Sequence, residues 1–247
     1  MPISFPLFTI VILLYIACAE GGERSAEPFQ RSSSPLQKDI ERHEEFMQAK
    51  DRLIETGGTS LVFIGDSITD YWRADPQHKI FTDYFGRYRP FNIGVAGDET
   101  QHVLWRIEHG ELDGITPKVT VLLIGTNNLG NSQMSPEETA VGVTSLVQLL
   151  RRMLPDTRII LLGIFPRGNR SDDPFRALIS RTNALIATLH DGEHVFFMDI
   201  GAQFLSGDGT LTHDIMPDYL HPGLRGYEIW AAAIKSKVDS LERSNKH

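Results

Sequence analysis

Ser67 stands in Gly65-Asp66-Ser67-Ile68-Thr69, directly after an apolar run, and far downstream the chain carries Asp218-Tyr219-Leu220-His221. A serine hydroxyl is a weak nucleophile near neutral pH. It attacks an acyl carbon when an imidazole takes its proton and, usually, a carboxylate fixes the tautomer of that imidazole. Ser67, His221 and Asp218 are therefore candidates for the nucleophile, base and acid of a serine hydrolase. Asp218 and His221 are three residues apart, which on one turn puts both side chains on the same side, so that the carboxylate can hold Nδ1–H and leave Nε2 for Ser67. Gly-Asp-Ser is common in turns and a lone histidine is common on surfaces, so only the combination carries weight.

Chemistry between residues so far apart needs a scaffold that brings them together. Five apolar runs bounded by turn residues, Leu61–Ile64, Arg89–Val95, Val119–Ile124, Arg158–Ile164 and Val195–Ile200, are short and apolar on both sides, as buried parallel strands are. Helical periodicity separates them. Leu36, Ile40, His43, Met47 and Ile54 mark a first amphipathic helix to Glu55, stopped by Gly57-Gly58, and further helices are expected over Thr100–His109, Pro136–Met153, Pro174–His190 and Gly223–Leu241. Alternating strands and helices imply a doubly wound α/β fold, in which ligands bind beyond the carboxyl ends of the strands. Gly65-Asp66-Ser67, Gly94-Val95-Ala96-Gly97-Asp98, Gly125-Thr126-Asn127-Asn128 and Pro166-Arg167-Gly168 all fall there.

A chain of 247 residues, 41% hydrophobic and 23% charged, fits one domain with a substantial core. Its net charge of −8 and the lack of any Lys/Arg block argue against nucleic acid as a partner. Phe5–Ala19 is nearly all apolar but shorter than the roughly 20 residues of a spanning helix. Residues 1–19 read as a signal peptide, with cleavage after Ala17-Cys18-Ala19, or else as a retained N-terminal anchor; Cys18, the one cysteine, could alternatively be lipidated. Residues 20–35, rich in Gly, Glu, Arg, Ser and Pro, are expected to form a flexible linker. Secretion or residence in the cell envelope follows from the export reading. Cleavage after Ala19 would leave no thiol and no disulfide in the mature chain.

In order along the chain, the Ser67, Gly97, Asn127 and Asp218/His221 blocks resemble those of the SGNH (GDSL-type) hydrolase superfamily. Within it, Asn92-Ile93-Gly94 through Gly97-Asp98, His102-Val103-Leu104-Trp105-Arg106, Gly125-Thr126-Asn127-Asn128 and Pro166-Arg167-Gly168 are similar to the catalytic subunits of platelet-activating-factor acetylhydrolases. The resemblance implies a three-layer α/β/α domain over residues 36–247 with a flavodoxin-like, five-stranded parallel sheet. It also implies that Ser67, Gly97 and Asn127 supply the oxyanion hole, that Ile68 and Leu220 close a small acyl pocket, and that the subunits form a homodimer. The physics agrees for the donors: a Ser at a helix start has an unused N–H, a glycine lets its own N–H come close, and an asparagine amide adds a third. Asn127 and Asn128 each read as catalytic or turn-forming, and alignment with the first Asn of the block favours Asn127; Asp66 reads equally as a helix cap.

No metal or organic cofactor is required by this chemistry. His213-Asp214 beside Gly207-Asp208-Gly209 matches no strong metal spacing, and Arg106 and Arg167 read as salt-bridged or pocket-bordering side chains. The expected activity is hydrolysis of short acyl esters, acetyl before longer chains, on an extracellular glycan. The alternatives are an acetyl phospholipid, a long-chain lipase or thioesterase, and a non-catalytic binding module.

Overall fold

The computed structural model describes residues 30–244, and the expected export segment lies outside them. Strands β1 (Leu61–Gly65), β2 (Phe91–Asn92), β3 (Val119–Leu123), β4 (Arg158–Leu162) and β5 (Val195–Met198) form one parallel sheet in the order β2-β1-β3-β4-β5. The helices among the described residues are α1 (Ile40–Glu55), α2 (Ser67–Asp70), α3 (Gln77–Phe85), α4 (Thr100–Arg106), α5 (Thr126–Gly130), α6 (Pro136–Met153), α7 (Pro174–Ile186) and α8 (Leu224–Ser244).

Successive side chains of a strand point to opposite faces, so the apolar runs divide between two cores. Leu61, Phe63, Val119, Val121, Leu123, Ile160 and Leu162 pack with Phe81 and Phe85 of α3 and with Tyr227, Trp230, Ile234 and Val238 of α8. Val62, Ile64, Leu122, Ile159 and Leu161 pack with Phe46 of α1, Val103 and Leu104 of α4, Val143, Leu146 and Leu150 of α6, and Ile186 of α7. This is the expected three-layer α/β/α arrangement with a flavodoxin-like strand order. At the centre of the first core, the Trp72 and Trp230 rings stack with centroids 4.0 Å apart.

Both proline-led helices begin where the sequence placed them. The Ser135 hydroxyl accepts the Glu138 N–H and the Asp173 carboxylate accepts the Phe175 N–H, while Pro136 and Pro174 occupy a first turn where a missing N–H costs nothing. Other boundaries differ. α1 starts at Ile40, not Leu36, because Asp39 caps it through the Arg42 N–H. α4 ends at Arg106, where a π-helical turn over Ile107–Glu111 bends about Gly110 at φ 95°. α7 tightens into a 3₁₀ turn at Ala187–Leu189.

β2 pairs over two residues only, since the Asn92 side chain takes the Gly94 N–H and bends the chain as it continues along β1. The helix α3 went unread between the first two strands, although a parallel crossover requires a connection of that length. Part of the expected linker is also corrected: residues 30–35 are tied to the domain. Ser32 is fully buried, its hydroxyl donates to the Glu138 carbonyl, and its own carbonyl accepts from Thr100 Oγ1.

Candidate active site

The chain leaves β1 for the edge strand β2 and then crosses back to β3, which opens a crevice beyond the carboxyl ends of β1 and β3. Ser67 follows β1, Gly97 follows β2, Asn127 follows β3, and Asp218 and His221 lie in the turn before α8. Gly65 makes the exit from β1 tight enough: a Cβ there would lie 2.3 Å from the Leu123 carbonyl oxygen and 2.2 Å from Thr69 Oγ1.

Ser67, His221 and Asp218 meet, as the sequence predicts. Ser67 Oγ lies 2.9 Å from His221 Nε2, and His221 Nδ1 lies 2.6 Å from Asp218 Oδ2. The other carboxylate oxygen, Oδ1, accepts the Leu220 N–H at 3.0 Å and the His221 N–H at 2.7 Å. Each Asp218 oxygen thus has a separate task, and the turn is closed by Tyr219 in the left-handed region at φ 60°. A bulky residue held there carries strain of the kind that collects at functional sites. Partial burial alone would raise the Asp218 pKa, but the hydrogen bonds and charge of His221 and the Leu220 N–H outweigh it and hold the carboxyl below its usual range. Tyr71, unread in the sequence, walls the imidazole with its ring centroid 5.1 Å away. Its position after a four-residue helix leaves no periodic signal to find it by.

The three expected oxyanion donors come from three separate loops. Ser67 is the first residue of α2, so its N–H has no intrahelical acceptor. With only four residues in α2, that free N–H rather than a macrodipole is what the helix start offers. Gly97 adopts φ 75°, a conformation that strains any side-chain-bearing residue, and among the described residues its N–H has no protein acceptor. Asn127 is buried and donates one amide proton to the Asp98 carbonyl at 2.9 Å, which orients the other.

Asn128 is instead structural. Fully buried, it binds the Thr100 N–H through Oδ1 and Thr100 Oγ1 through Nδ2. Replacing Asn127 by Ala is expected to lower kcat by about 10²- to 10³-fold with a small change in KM. Steady-state kinetics on p-nitrophenyl acetate measure this, and wild-type kcat would remove Asn127 from the hole.

Asp66 caps α2 by accepting the Ile68 N–H at 3.0 Å, so the capping reading holds. Burial pushes its carboxyl up to about 7, with the Ile68 hydrogen bond opposing and the Asp98 charge adding to the rise. Ile68 points into the core at 2% exposure, and its carbonyl accepts the Tyr227 hydroxyl. Leu220 is half-buried and lines a cavity of about 400 Å³ with Arg167, Asn169, Asp173, Phe175 and Asp218. Arg167 stacks on Phe175 at 4.1 Å there, so it borders the site. Arg106 is buried, bonded to Asp98 and paired with Glu111, which is the structural reading of that residue. His213 and Asp214 sit on an exposed loop where Asp214 pairs with Arg225. A cavity of about 360 Å³ between Leu112–Lys118 and Met153–Thr157 opens at the opposite ends of β3 and β4, away from Ser67.

Residues 63–229 match the family described as GDSL-like Lipase/Acylhydrolase. The platelet-activating factor acetylhydrolase IB subunit alpha1 of Homo sapiens is 38% identical over 177 residues, covering 71% of this chain and 74% of the relative. Among solved structures, a GDSL-like lipase from Bacteroides thetaiotaomicron superposes with a TM-score of 0.64 at 20% identity, covering 82% of this chain and 99% of that one. An acetylxylan esterase from Geobacillus stearothermophilus superposes at 0.58 with 21% identity over 73% of this chain and 94% of that one. At such identities the two structures speak for the fold alone.

Proposed function

The chain belongs to the GDSL-like lipase/acylhydrolase family and is a carboxylic ester hydrolase, and on that premise we propose that it removes acetyl and other short acyl groups through an acyl-enzyme on Ser67. The observation that carries this is the continuous relay from Ser67 Oγ through His221 to Asp218, at 2.9 and 2.6 Å. His221 Nε2 takes the Ser67 proton as Oγ bonds to the ester carbonyl carbon. The Ser67 and Gly97 N–H groups and the Asn127 amide stabilise the negative oxygen that results. Collapse of the tetrahedral intermediate breaks the bond to the leaving oxygen, which receives the proton from Nε2. Water then donates its proton to Nε2, attacks the acyl carbon and releases the acid, and Ser67 regains its proton.

The short-acyl preference is supported by Leu220, half-buried next to the base, and by the likeness to the acetylhydrolase subunits; Ile68, expected beside it, packs into the core instead. For the alcohol side we favour an acetylated glycan outside the cell, because Phe5–Ala19 has the composition of an export signal. An acetyl phospholipid is the second reading, favoured by the 38% identity to the acetylhydrolase subunits. Acetate release from a panel of acetylated glycans and acetyl phospholipids decides between them. With p-nitrophenyl acetate, butyrate and octanoate, the expected order of kcat/KM falls with chain length. Octanoate turned over faster than acetate would sink the short-acyl assignment.

A further inference from the structure

Lys38 lies outside the region that matches the family, yet its ammonium reaches the loop after β2 that carries Gly97. Nζ donates to the Ala96 carbonyl at 2.6 Å and to Asp98 Oδ1 at 3.1 Å, bridging the two residues on either side of Gly97. It sits so close that a Cβ on Gly97 would be 3.3 Å from Nζ. The loop's other ties come from within the matched region. The Ala96 N–H donates to Asp70, Arg106 binds Asp98 Oδ2, and Asn127 binds the Asp98 carbonyl.

Lys38 is itself placed by a segment held at several points. Arg31 forms a bidentate pair with Glu138 at 2.8 and 2.9 Å, Ser32 is buried between Glu138 and Thr100, and the Leu36 N–H donates to the Gln101 carbonyl. Two of these partners, Thr100 and Gln101, belong to the helix that follows the Gly97 loop.

We propose that Arg31–Lys38 is a strap whose Lys38 acts as a positioning residue, holding the Gly97 amide where it meets the oxyanion. The proposal rests on the esterase reading above. The loop has φ 75° at its centre and is exposed at Ala96, and an ammonium bonded on both sides of Gly97 ties it down.

The test compares wild type, Lys38→Met and Lys38→Arg on p-nitrophenyl acetate, with Ser67→Ala as the blank. Lys38→Met is expected to lower kcat by about 10- to 100-fold while KM changes little, because a misplaced donor weakens the transition state more than the bound ester. Lys38→Arg, which keeps the charge and the donors, restores most of the loss. Hydrogen exchange in the full chain should show faster exchange across residues 95–98 in Lys38→Met and protection in Lys38→Arg. Unchanged kcat in Lys38→Met, a loss confined to KM, or exchange at 95–98 equal to wild type would overturn the proposal. If wild type shows no turnover dependent on Ser67, the esterase reading fails and the oxyanion role falls with it, while exchange still decides whether Lys38 orders the loop.

Discussion

Ser67→Ala should lower kcat by about 10⁶-fold, the scale seen when the nucleophile of a serine hydrolase is removed. The relay in this chain ends at one oxygen: His221 Nε2 faces Ser67 Oγ at 2.9 Å. With that oxygen gone, His221 has no proton to take from a protein nucleophile and no acyl-enzyme forms. What remains is water attacking an ester polarised by the oxyanion donors, a residue of catalysis roughly 10³- to 10⁴-fold above solution. Ser67 has no structural duty that would confuse the result, since Asp66 rather than Ser67 caps α2. A fluorophosphonate probe should label the wild type and leave the variant unlabelled. A folded wild type that takes no label would instead support a binding module built on the same fold.

Asp218→Asn is expected to cost on the order of 10⁴-fold in kcat at neutral pH, with the fold intact. The reason lies in how the two carboxylate oxygens are used. Oδ1 is claimed by two backbone N–H groups, from Leu220 and His221, so an asparagine must place its carbonyl oxygen there. Its NH₂ then faces His221 Nδ1, where Asp218 Oδ2 had accepted a proton at 2.6 Å. Nδ1 must accept, the ring proton moves to Nε2, and the nitrogen facing Ser67 can no longer act as a base. Because the turn is still closed by the same N–H groups, the melting temperature should change little. Wild-type turnover by Asp218→Asn would mean that the carboxylate, whose side chain is 56% exposed to water, neither sets the tautomer nor stabilises the imidazolium.

The triad was legible because its residues are chemically conspicuous and their order along the chain is preserved whatever the fold does. The same holds for the layers. Runs such as Leu61–Ile64 and Val119–Ile124 are apolar on both sides, and α6 and α7 announce their starts with Ser135-Pro136 and Asp173-Pro174. These are local signals, set by backbone sterics and by which side chains can cap a helix. The helix α3 was missed for a different reason: Ile80, Phe81, Tyr84 and Phe85 crowd into nine residues, too few for a periodic pattern to stand out.

The pattern of residues along the chain made Ser67, Asp218 and His221 candidates for acyl transfer and called for a parallel sheet to unite them. It was silent wherever a residue's task depends on a neighbour distant along the chain. Asn127 and Asn128 are chemically alike and only the resemblance favours Asn127, yet in the fold one meets Asp98 at the crevice and the other is locked to Thr100. Residues 30–35 have the makeup of a linker, and only the pocket between Glu138 and Thr100 turns Ser32 into an anchor and brings Lys38 to Gly97. Charges and small polar groups gain meaning from geometry, because hydrogen bonds and Coulomb forces act over a few ångströms of space and take no account of separation along the chain.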